Sequence, residues 1–462
     1  MALYVVLVAL QLGRRDLLND ELYSLAATHH LAETVRRTHG TMALYYVVLW
    51  PWARLSHHPV WLHLPSAVAL AASIGVLARV VAAWFGQRTG RWAGMFAAAS
   101  AALVRHGVEA RSYALWALAV SLAWFHLHRC VASDDRRSRW WFAACVVAMP
   151  LLHGLSGVVL VGYLLTIAWC RLPRALAVRL SAPVVLALLL VATLWAAGGH
   201  EVGYFPPNDL DSARRFVRGL VFPGVRPAAL LVAIAAAGAA AVVRLPTATA
   251  GDRLRQVGLL MWGPGCTFGL LLLSAVRPSM AFRYALPSAL GFAGLLAVAS
   301  TRSHRTVLTR LGPPLLAAGL LVGQGELRLP NHEWRSAAHH VSVRYRPGDG
   351  IAFVPADARL AYEAALAAGP AAHVPHLVGT GDPLGTFDRF GSVDDPAATG
   401  AAAARSARLW VVAIRAGIEP NRGMVQELLG HPTIRRRFRV GDRIEIGDVT
   451  IWRLDRISAE VD

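Results

Sequence analysis

Residues 64–84 read LPSAVALAASIGVLARVVAAW, an apolar run with Arg79 as its one charged side chain and about the 20 residues that a bilayer crossing needs. Similar runs recur at 2–13, 91–105, 110–128, 140–153, 155–170, 180–197, 227–243, 257–275, 284–300 and 307–323, and then stop. The composition agrees, since 55% of the 462 residues are apolar and only 16% are charged, against about 25% charged in soluble domains. A soluble cytosolic enzyme is thereby excluded. The chain is expected to be an α-helical polytopic membrane protein of about eleven spans over residues 1–323, followed by a small external α/β domain over 324–462.

The formal net charge is +18, and every basic side chain is an arginine. In a soluble protein that balance points to nucleic acid. Here the arginines fall in short loops between apolar runs, where cytoplasmic retention of positive charge accounts for them, and no nucleic-acid partner is expected. Arg88 and Arg91; Arg129, Arg136, Arg137 and Arg139; Arg171, Arg174 and Arg179; Arg244, Arg253 and Arg255; and Arg302, Arg305 and Arg310 occupy alternate loops, which are assigned to the cytoplasm. The segment 41–52, TMALYYVVLWPW, is short for a crossing, and a crossing there splits the acidic and basic candidates named below between two faces. It reads instead as an interfacial helix with Tyr45, Tyr46, Trp50 and Trp52 at headgroup depth. Residues 13–63 then form one external loop, on the same side as the C-terminal domain. Ala2–Leu12 is read as a first transmembrane helix that either continues through Gly13 or has lost residues to a misplaced start. The four cysteines, Cys130, Cys145, Cys170 and Cys266, show no metal-site or disulfide spacing.

Beyond residue 324, short apolar runs at Gly350–Val354, Leu409–Ile414 and Thr450–Leu454 alternate with helical patterns at 358–368 and 423–429. Residues 443–454 read as a hairpin turning at Gly447-Asp448. GTGDPLG at 379–385 fits neither the dinucleotide nor the Walker pattern. In a second external loop, 198–226, a short helix is expected over 211–219, capped by Asp209 or Asp211.

Asn19-Asp20-Glu21 opens a helical stretch immediately after the first run. Two adjacent carboxylates at the water interface suit a general base, or a base beside a metal ligand. They equally suit a helix N-terminus, where acids complement the macrodipole. Glu109, in RHGVEARSYAL, is the second acidic position. A charge at the bilayer centre costs about 2.5–3.5 kcal/mol, so Arg105, His106, Glu109 and Arg111 must be interfacial or paired. They form either a Glu109–arginine pair that anchors the helix or an external pocket facing Asp20. His153, His200, Glu201, Arg277, Arg283 and Tyr284 also stand at external ends. Arginines there do not serve retention, which leaves a ligand phosphate or lipid headgroups as partners. Asp134-Asp135, on the cytoplasmic side, reads as a salt-bridged turn. No spacing defines a metal coordination sphere, so a divalent ion such as magnesium or manganese is neither required nor excluded.

The series NDELYSL, HGTMALYYVVLW, LPSAVALAASIGVLARVVAAWFGQRTGRWAGM, EARSYALWAL, LLHGLSG, FRYALPSAL and EWRSAAHHVSVRYRPGDGIAF runs in order over about residues 15–350. It resembles the bacterial, polyprenyl-phosphate-sugar-dependent members of the GT-C glycosyltransferase superfamily, relatives of the protein O-mannosyltransferases and of the lipid A aminoarabinose transferase. The resemblance implies a multi-pass plasma-membrane fold whose first external loop carries the acidic pair and two helices lying along the membrane. It also implies a sugar, mannose or another hexose or pentose, carried on polyprenyl phosphate, and an acceptor hydroxyl on a glycan, a lipid or a protein. The family's loop acid falls on Asp20, its partner on Glu21, and its arginine–tyrosine element on Arg111 and Tyr113. Three positions depart from the pattern: Met42-Ala43 where Pro is usual before Leu-Tyr-Tyr, His63 for an arginine, and Ser112 for a proline.

The expectation is therefore an inverting transferase on the external face, with Asp20, Glu21 and Glu109 catalytic. Arg111, Arg283, Tyr113, Tyr284 and His153 are expected to bind the donor phosphate. One rival is a lipid-linked-sugar flippase, which calls for ionisable groups in mid-span and broken helices in matched halves. The other is a non-catalytic membrane scaffold, which tolerates every feature except the clustered acids.

Overall fold

A computed structural model describes residues 2–12, 16–17, 19–197, 209–221, 228–276, 281–302, 306–322, 334–355, 358–367, 376–377, 399–400, 403–417 and 421–457. Its helices begin with α1 (Ala2–Leu12), α2 (Asn19–His29), α3 (Leu31–Arg37), α4 (Ala43–Ala53), α5 (Pro59–Phe85), α6 (Gln87–Ala98), α7 (Ala101–Gly107), α8 (Tyr113–Ser133) and α9 (Arg136–Leu152). They continue with α10 (Gly157–Cys170), α11 (Arg174–Ala197), α12 (Leu210–Val221), α13 (Ala228–Val243) and α14 (Ala250–Leu260). A π turn (Met261–Gly265) leads into α15 (Cys266–Val276), and a 3-10 turn (Phe282–Ala285) into α16 (Leu286–Thr301) and α17 (Thr306–Val322). The C-terminal part holds α18 (Trp334–Ser342), β1 (Asp349–Val354), α19 (Ala358–Ala367), β2 (His376–Leu377), β3 (Arg408–Ile414), α20 (Asn421–Gly430), α21 (Pro432–Arg437), β4 (Phe438–Ile446) and β5 (Val449–Arg456). Two compact units result. The first comprises Met1–Gln11, Val35–Val47 and His63–Arg328, and the second Leu12–Thr34, Val48–Leu62 and Leu329–Asp462.

In the first unit the described part of each expected apolar run is mainly helical, but the count of eleven spans is not reproduced. Among the described residues five helices are long and apolar enough to cross a bilayer: Pro59–Phe85, Tyr113–Ser133, Arg174–Ala197, Ala250–Val276 and Arg283–Thr301. The run 91–105 is broken into α6 and α7, because Ser100 takes an extended backbone and starts a new helix. Ala250–Val276 stays continuous through a π turn containing Pro264, whose missing N–H removes one rung of the helical ladder. That turn crosses α16 closely enough that a Cβ on Gly291 would lie 2.3 Å from the Gly263 nitrogen, a contact only glycine permits. At the other end of the bundle the SDDRRSR turn is salt-bridged as expected. Asp135 accepts the Arg137 N–H at 3.0 Å and pairs with Arg129 at 3.0 Å, and Asp134 pairs with Arg139.

Among the described residues, the segment 13–63 holds α2, α3 and α4. Tyr45 and Tyr46 are buried rather than displayed, and Val47, Val48 and Leu55 are the exposed apolar side chains instead. Trp52 and Trp61 stack at 4.1 Å, and each indole N–H donates to the other's carbonyl (2.8 and 2.9 Å), which closes the turn between α4 and α5. Between α11 and α13, α12 is capped by Asp209, which accepts the Ser212 N–H at 2.6 Å.

In the second unit the strands form one sheet in the order β2-β1-β3-β5-β4, parallel from β2 to β3 and antiparallel from β3 to β4. The expected hairpin turns at Gly447, whose φ of 57° suits glycine. Strand alternation sends Ala352, Leu409, Val411, Trp452 and Leu454 into one core with Val425 and Leu428 of α20 and Ile434 of α21. Helices α18 and α19 pack on strands of the same sheet. The GTGDPLG stretch lies outside the described residues.

Asp349 ties β1 to β3. Its buried carboxylate accepts from Arg408 (2.9 and 2.7 Å), from the Trp410 indole (3.0 Å) and from the Arg346 N–H (3.0 Å). Burial pushes its pKa up, but the hydrogen bonds from Arg408 and Trp410 outweigh it and hold the carboxyl below the usual range. A depressed carboxylate contributes stability that is complete above its unfolded pKa of about 3.9 and is lost as pH falls through the folded value. Hydrogen exchange of β1 and β3 in the intact protein should therefore accelerate in acid. Asp349→Ala should abolish that acid dependence and destabilise the sheet by about 3 kcal/mol, since it strands the Arg408 charge.

Candidate active site

The corner between α7 and α8, residues 108–112, is built as a tight turn. Gly107 ends α7 against Tyr4 of α1, whose hydroxyl would lie 2.1 Å from any Cβ at that position. The Arg111 N–H donates to the Glu109 carbonyl at 2.9 Å, and Ser66 of α5 donates to the Arg111 carbonyl at 3.5 Å. Glu109 is buried, with one carboxylate oxygen 2.5 Å from His106 Nδ1 and the other 3.6 Å from Arg105 Nε. Arg111 holds its guanidinium carbon 5.8 Å from the Tyr113 ring.

Two further turns come to the same place. Between α9 and α10, His153 takes an extended backbone, and Ser156 fastens the turn by donating to the carbonyls of Met149 (2.8 Å) and His153 (2.7 Å). The Leu155 N–H donates to His153 Nδ1 at 3.2 Å, so the neutral ring carries its proton on Nε2. The 3-10 turn before α16 carries Arg283 and Tyr284, with Pro287 in the first turn of the helix that follows. The Arg283 guanidinium lies 5.4 Å from the Tyr284 ring.

These turns meet. Ring centroids are 6.1 Å apart for Tyr113 and Tyr284, 5.6 Å for Tyr113 and His153, and 5.2 Å for His153 and Tyr284. Trp116 stacks flat on His153 at 4.4 Å, and among the described residues its buried indole N–H has no hydrogen-bond partner, which leaves it available as a donor. Both guanidiniums, Arg111 and Arg283, act electrostatically on His153. The cluster thus sets the Arg111 and Arg283 guanidiniums near His153 among aromatic rings, while Arg105 lies 3.6 Å from the Glu109 carboxylate that His106 already engages. Guanidiniums among aromatic rings suit a phosphate.

A groove of about 720 Å³ begins at Gly154 and Leu155, the two residues after His153. Its walls are Val161 and Leu165 of α10, Val191 of α11, and Phe268 and Leu272 of α15, with Met261 and Gly265 from the two ends of the π turn. It is apolar along its length.

Of the residues expected to carry function, the structure brings together Glu109, Arg111, Tyr113, His153, Arg283 and Tyr284, all in the first unit. Asp20 and Glu21 lie in the second unit, in the first turn of α2. Glu21 is buried and Asp20 half-buried. Helix α2 packs on α19, and the approach to it is pinned by Asp16, which accepts the Arg335 N–H at the start of α18 (3.2 Å) and pairs with its guanidinium at 2.5 Å. Burial raises the pKa of Asp16, and Arg335 only partly offsets it. His200, Glu201 and Arg277 lie outside the described residues.

Sequence reasoning did not single out Trp116, although it stands one helical turn after Tyr113. Nor did it single out the groove, whose one local signal is the pair Gly265 and Gly269 at GxxxG spacing.

No protein-family model matches the chain, and no curated protein sequence matches it significantly. Solved structures do. The crystal structure of ArnT from Cupriavidus metallidurans in the apo state aligns over 98% of this chain and 96% of its own, with a TM-score of 0.60 at 13% identity. The chain shares the fold of ArnT. ArnT from the same organism bound to undecaprenyl phosphate aligns with a TM-score of 0.57 at 14% identity, over 98% of this chain and 96% of that one. The ArnT-like fold and the apolar helices make this an integral membrane protein.

Proposed function

We propose that this protein is an inverting glycosyltransferase that moves a sugar from a polyprenyl-phosphate carrier to a hydroxyl acceptor at the external face of the membrane. The observation that carries the reading is the meeting of the Arg111, His153 and Arg283 turns, with Gly154 and Leu155, the residues that follow His153, lining an apolar groove. A polyprenyl phosphate is an anionic head on a long apolar tail, and in this reading the cluster takes the head and the groove the tail. The likeness to ArnT bound to undecaprenyl phosphate supports the same ligand class.

In this reading Arg111 and Arg283 hold the phosphate, with His153 Nε2–H, Tyr113 and Tyr284 beside them. Asp20 takes the proton from the acceptor hydroxyl as its oxygen bonds to the anomeric carbon. The bond from that carbon to the phosphate oxygen breaks, and polyprenyl phosphate leaves with its charge stabilised by the guanidiniums. Displacement in one step inverts the anomeric centre. Glu21 and Glu109 position the acceptor and the Arg111 corner. Acceptors are glycan, lipid or protein hydroxyls.

The test incubates the purified full-length protein with radiolabelled polyprenyl-phosphate mannose, glucose and pentose, with and without magnesium or manganese, and cell-envelope acceptors. One donor should be consumed, with release of polyprenyl phosphate. Donor moved across a vesicle bilayer without consumption would make the protein a flippase, and no donor bound would make it a scaffold.

The same reading requires residues 13–63 and the C-terminal domain to face outward. Single cysteines replacing the exposed His57 and Asp448 should react with an impermeant maleimide in intact cells, whereas one replacing Ser133 should react only after the membrane is opened. The four native cysteines are buried and give little background. Ser406, also in the C-terminal domain, is buried and unsuited to such labelling.

A further inference from the structure

We propose that His106 is a positioning residue that locks the α7–α8 corner, so that Arg111 and Tyr113 keep their place beside His153 and Tyr284. The proposal rests on the reading of Arg111 as a ligand of the donor phosphate. It gives a role to a histidine that neither binds the donor nor takes a proton from the acceptor.

His106 stands in the last turn of α7 and is buried. Its Nδ1 lies 2.5 Å from the Glu109 carboxylate, within hydrogen-bond distance, and since a carboxylate oxygen accepts, the imidazole N–H donates. The edge of the same ring meets the Tyr113 ring at 5.8 Å and 70°. One side chain therefore touches the corner on both sides of Arg111, at Glu109 before it and at Tyr113 after it. The backbone adds a third tie, from the Arg111 N–H to the Glu109 carbonyl. The imidazole contact is the short one at this carboxylate, since Arg105 Nε stands 3.6 Å from its other oxygen, so removing the His106 donor takes a hydrogen bond from a buried carboxylate and loosens the corner.

Imidazole meets two separable requirements, an N–H donor at the Nδ1 position and an aromatic edge against Tyr113. His106→Asn keeps a donor N–H in nearly the same place and gives up the ring. His106→Phe keeps the ring and gives up the donor. If the hydrogen bond to Glu109 is what locks the corner, the two variants behave differently, although both remove the imidazole.

The experiment measures binding of C55 polyprenyl phosphate to the full-length protein in nanodiscs, by native mass spectrometry, beside steady-state transfer kinetics. His106→Phe should weaken lipid-phosphate binding about 10- to 100-fold, the loss of one hydrogen bond to a charged group. His106→Asn should stay within about 3-fold of the parent. The loss should appear in donor binding and donor KM, with acceptor KM unchanged, which a general loss of folding would not produce. Combining His106→Phe with Glu109→Gln should recover part of the binding, because the neutral amide no longer leaves a charge without its partner. Parent-like binding by His106→Phe, or equal losses in the Asn and Phe variants, would overturn the proposal. If the parent protein itself fails to bind polyprenyl phosphate, the underlying functional reading falls instead, and the two failures are told apart by that single control.

Discussion

Asp20→Asn should lower turnover by at least about 100-fold, the smallest effect expected from removing a general base. The substitution keeps the size and hydrogen-bonding shape of the side chain while removing its charge. Asp20 sits in the first turn of α2, where Ser24 donates to its backbone carbonyl at 3.2 Å, and the helix is held by packing on α19 and by the Asp16–Arg335 pair just before it. Folding and donor binding should therefore survive. Single-turnover transfer from a radiolabelled donor, with lipid-phosphate binding measured on the same preparation, separates lost chemistry from lost binding. Glu21→Gln should cost less in turnover, because the buried Glu21 is assigned to positioning. Near-parental turnover in Asp20→Asn would move the base elsewhere. Glu109 is poorly suited to inherit the role, with His106 on one of its oxygens and Arg105 near the other.

The second large effect is expected at the phosphate. Arg111→Ala or Arg283→Ala should weaken donor binding by about 1.5–3 kcal/mol, or roughly 10- to 150-fold, for loss of a hydrogen bond to a charged group. Arg111→Lys and Arg283→Lys should fall between parent and Ala. A lysine keeps the charge but lacks the planar fork that can present two parallel N–H groups to phosphate oxygens. Both arginines approach tyrosine rings, at 5.8 and 5.4 Å, so the lysine variants also lose a stacked guanidinium. The control is Arg302→Ala. Arg302 is exposed just past the end of α16, with its guanidinium 5.9 Å from the Phe85 ring, away from the cluster. It should bind donor as the parent does. If the Ala variants at 111 and 283 match that control, the two arginines are lipid anchors, and the phosphate site should be sought at Arg214 and Arg215 of α12.

How much of this was legible in the chain differs by level. Apolar runs broken by arginine-rich turns were enough to read a mostly helical membrane protein with a small C-terminal sheet, but not the number of spans, since among the described residues five helices are long and apolar enough to cross a bilayer. The strands at 350–354, 409–414 and 450–454 and the Gly447 turn lie where alternation and turn chemistry put them. Those features are local, set by periodicities of two or about 3.6 residues and by the backbone needs of glycine, proline and capping side chains.

The meeting of Arg111, His153 and Arg283 is of another kind. The three stand in separate turns, and nothing within a helical turn of any of them encodes the other two. What brings them together is helix packing, including the glycine-only approaches at Gly107 and Gly291. The engagement of Glu109 by His106 was within reach of local reasoning, since the two are three residues apart, but its 2.5 Å geometry depends on how the corner closes. The groove was hidden for a plainer physical reason. A residue facing lipid and a residue lining an apolar cavity are selected for the same chemistry, so Val161, Leu165 and Phe268 read alike in sequence, and only the packing of α10, α11 and α15 decides that they face a groove.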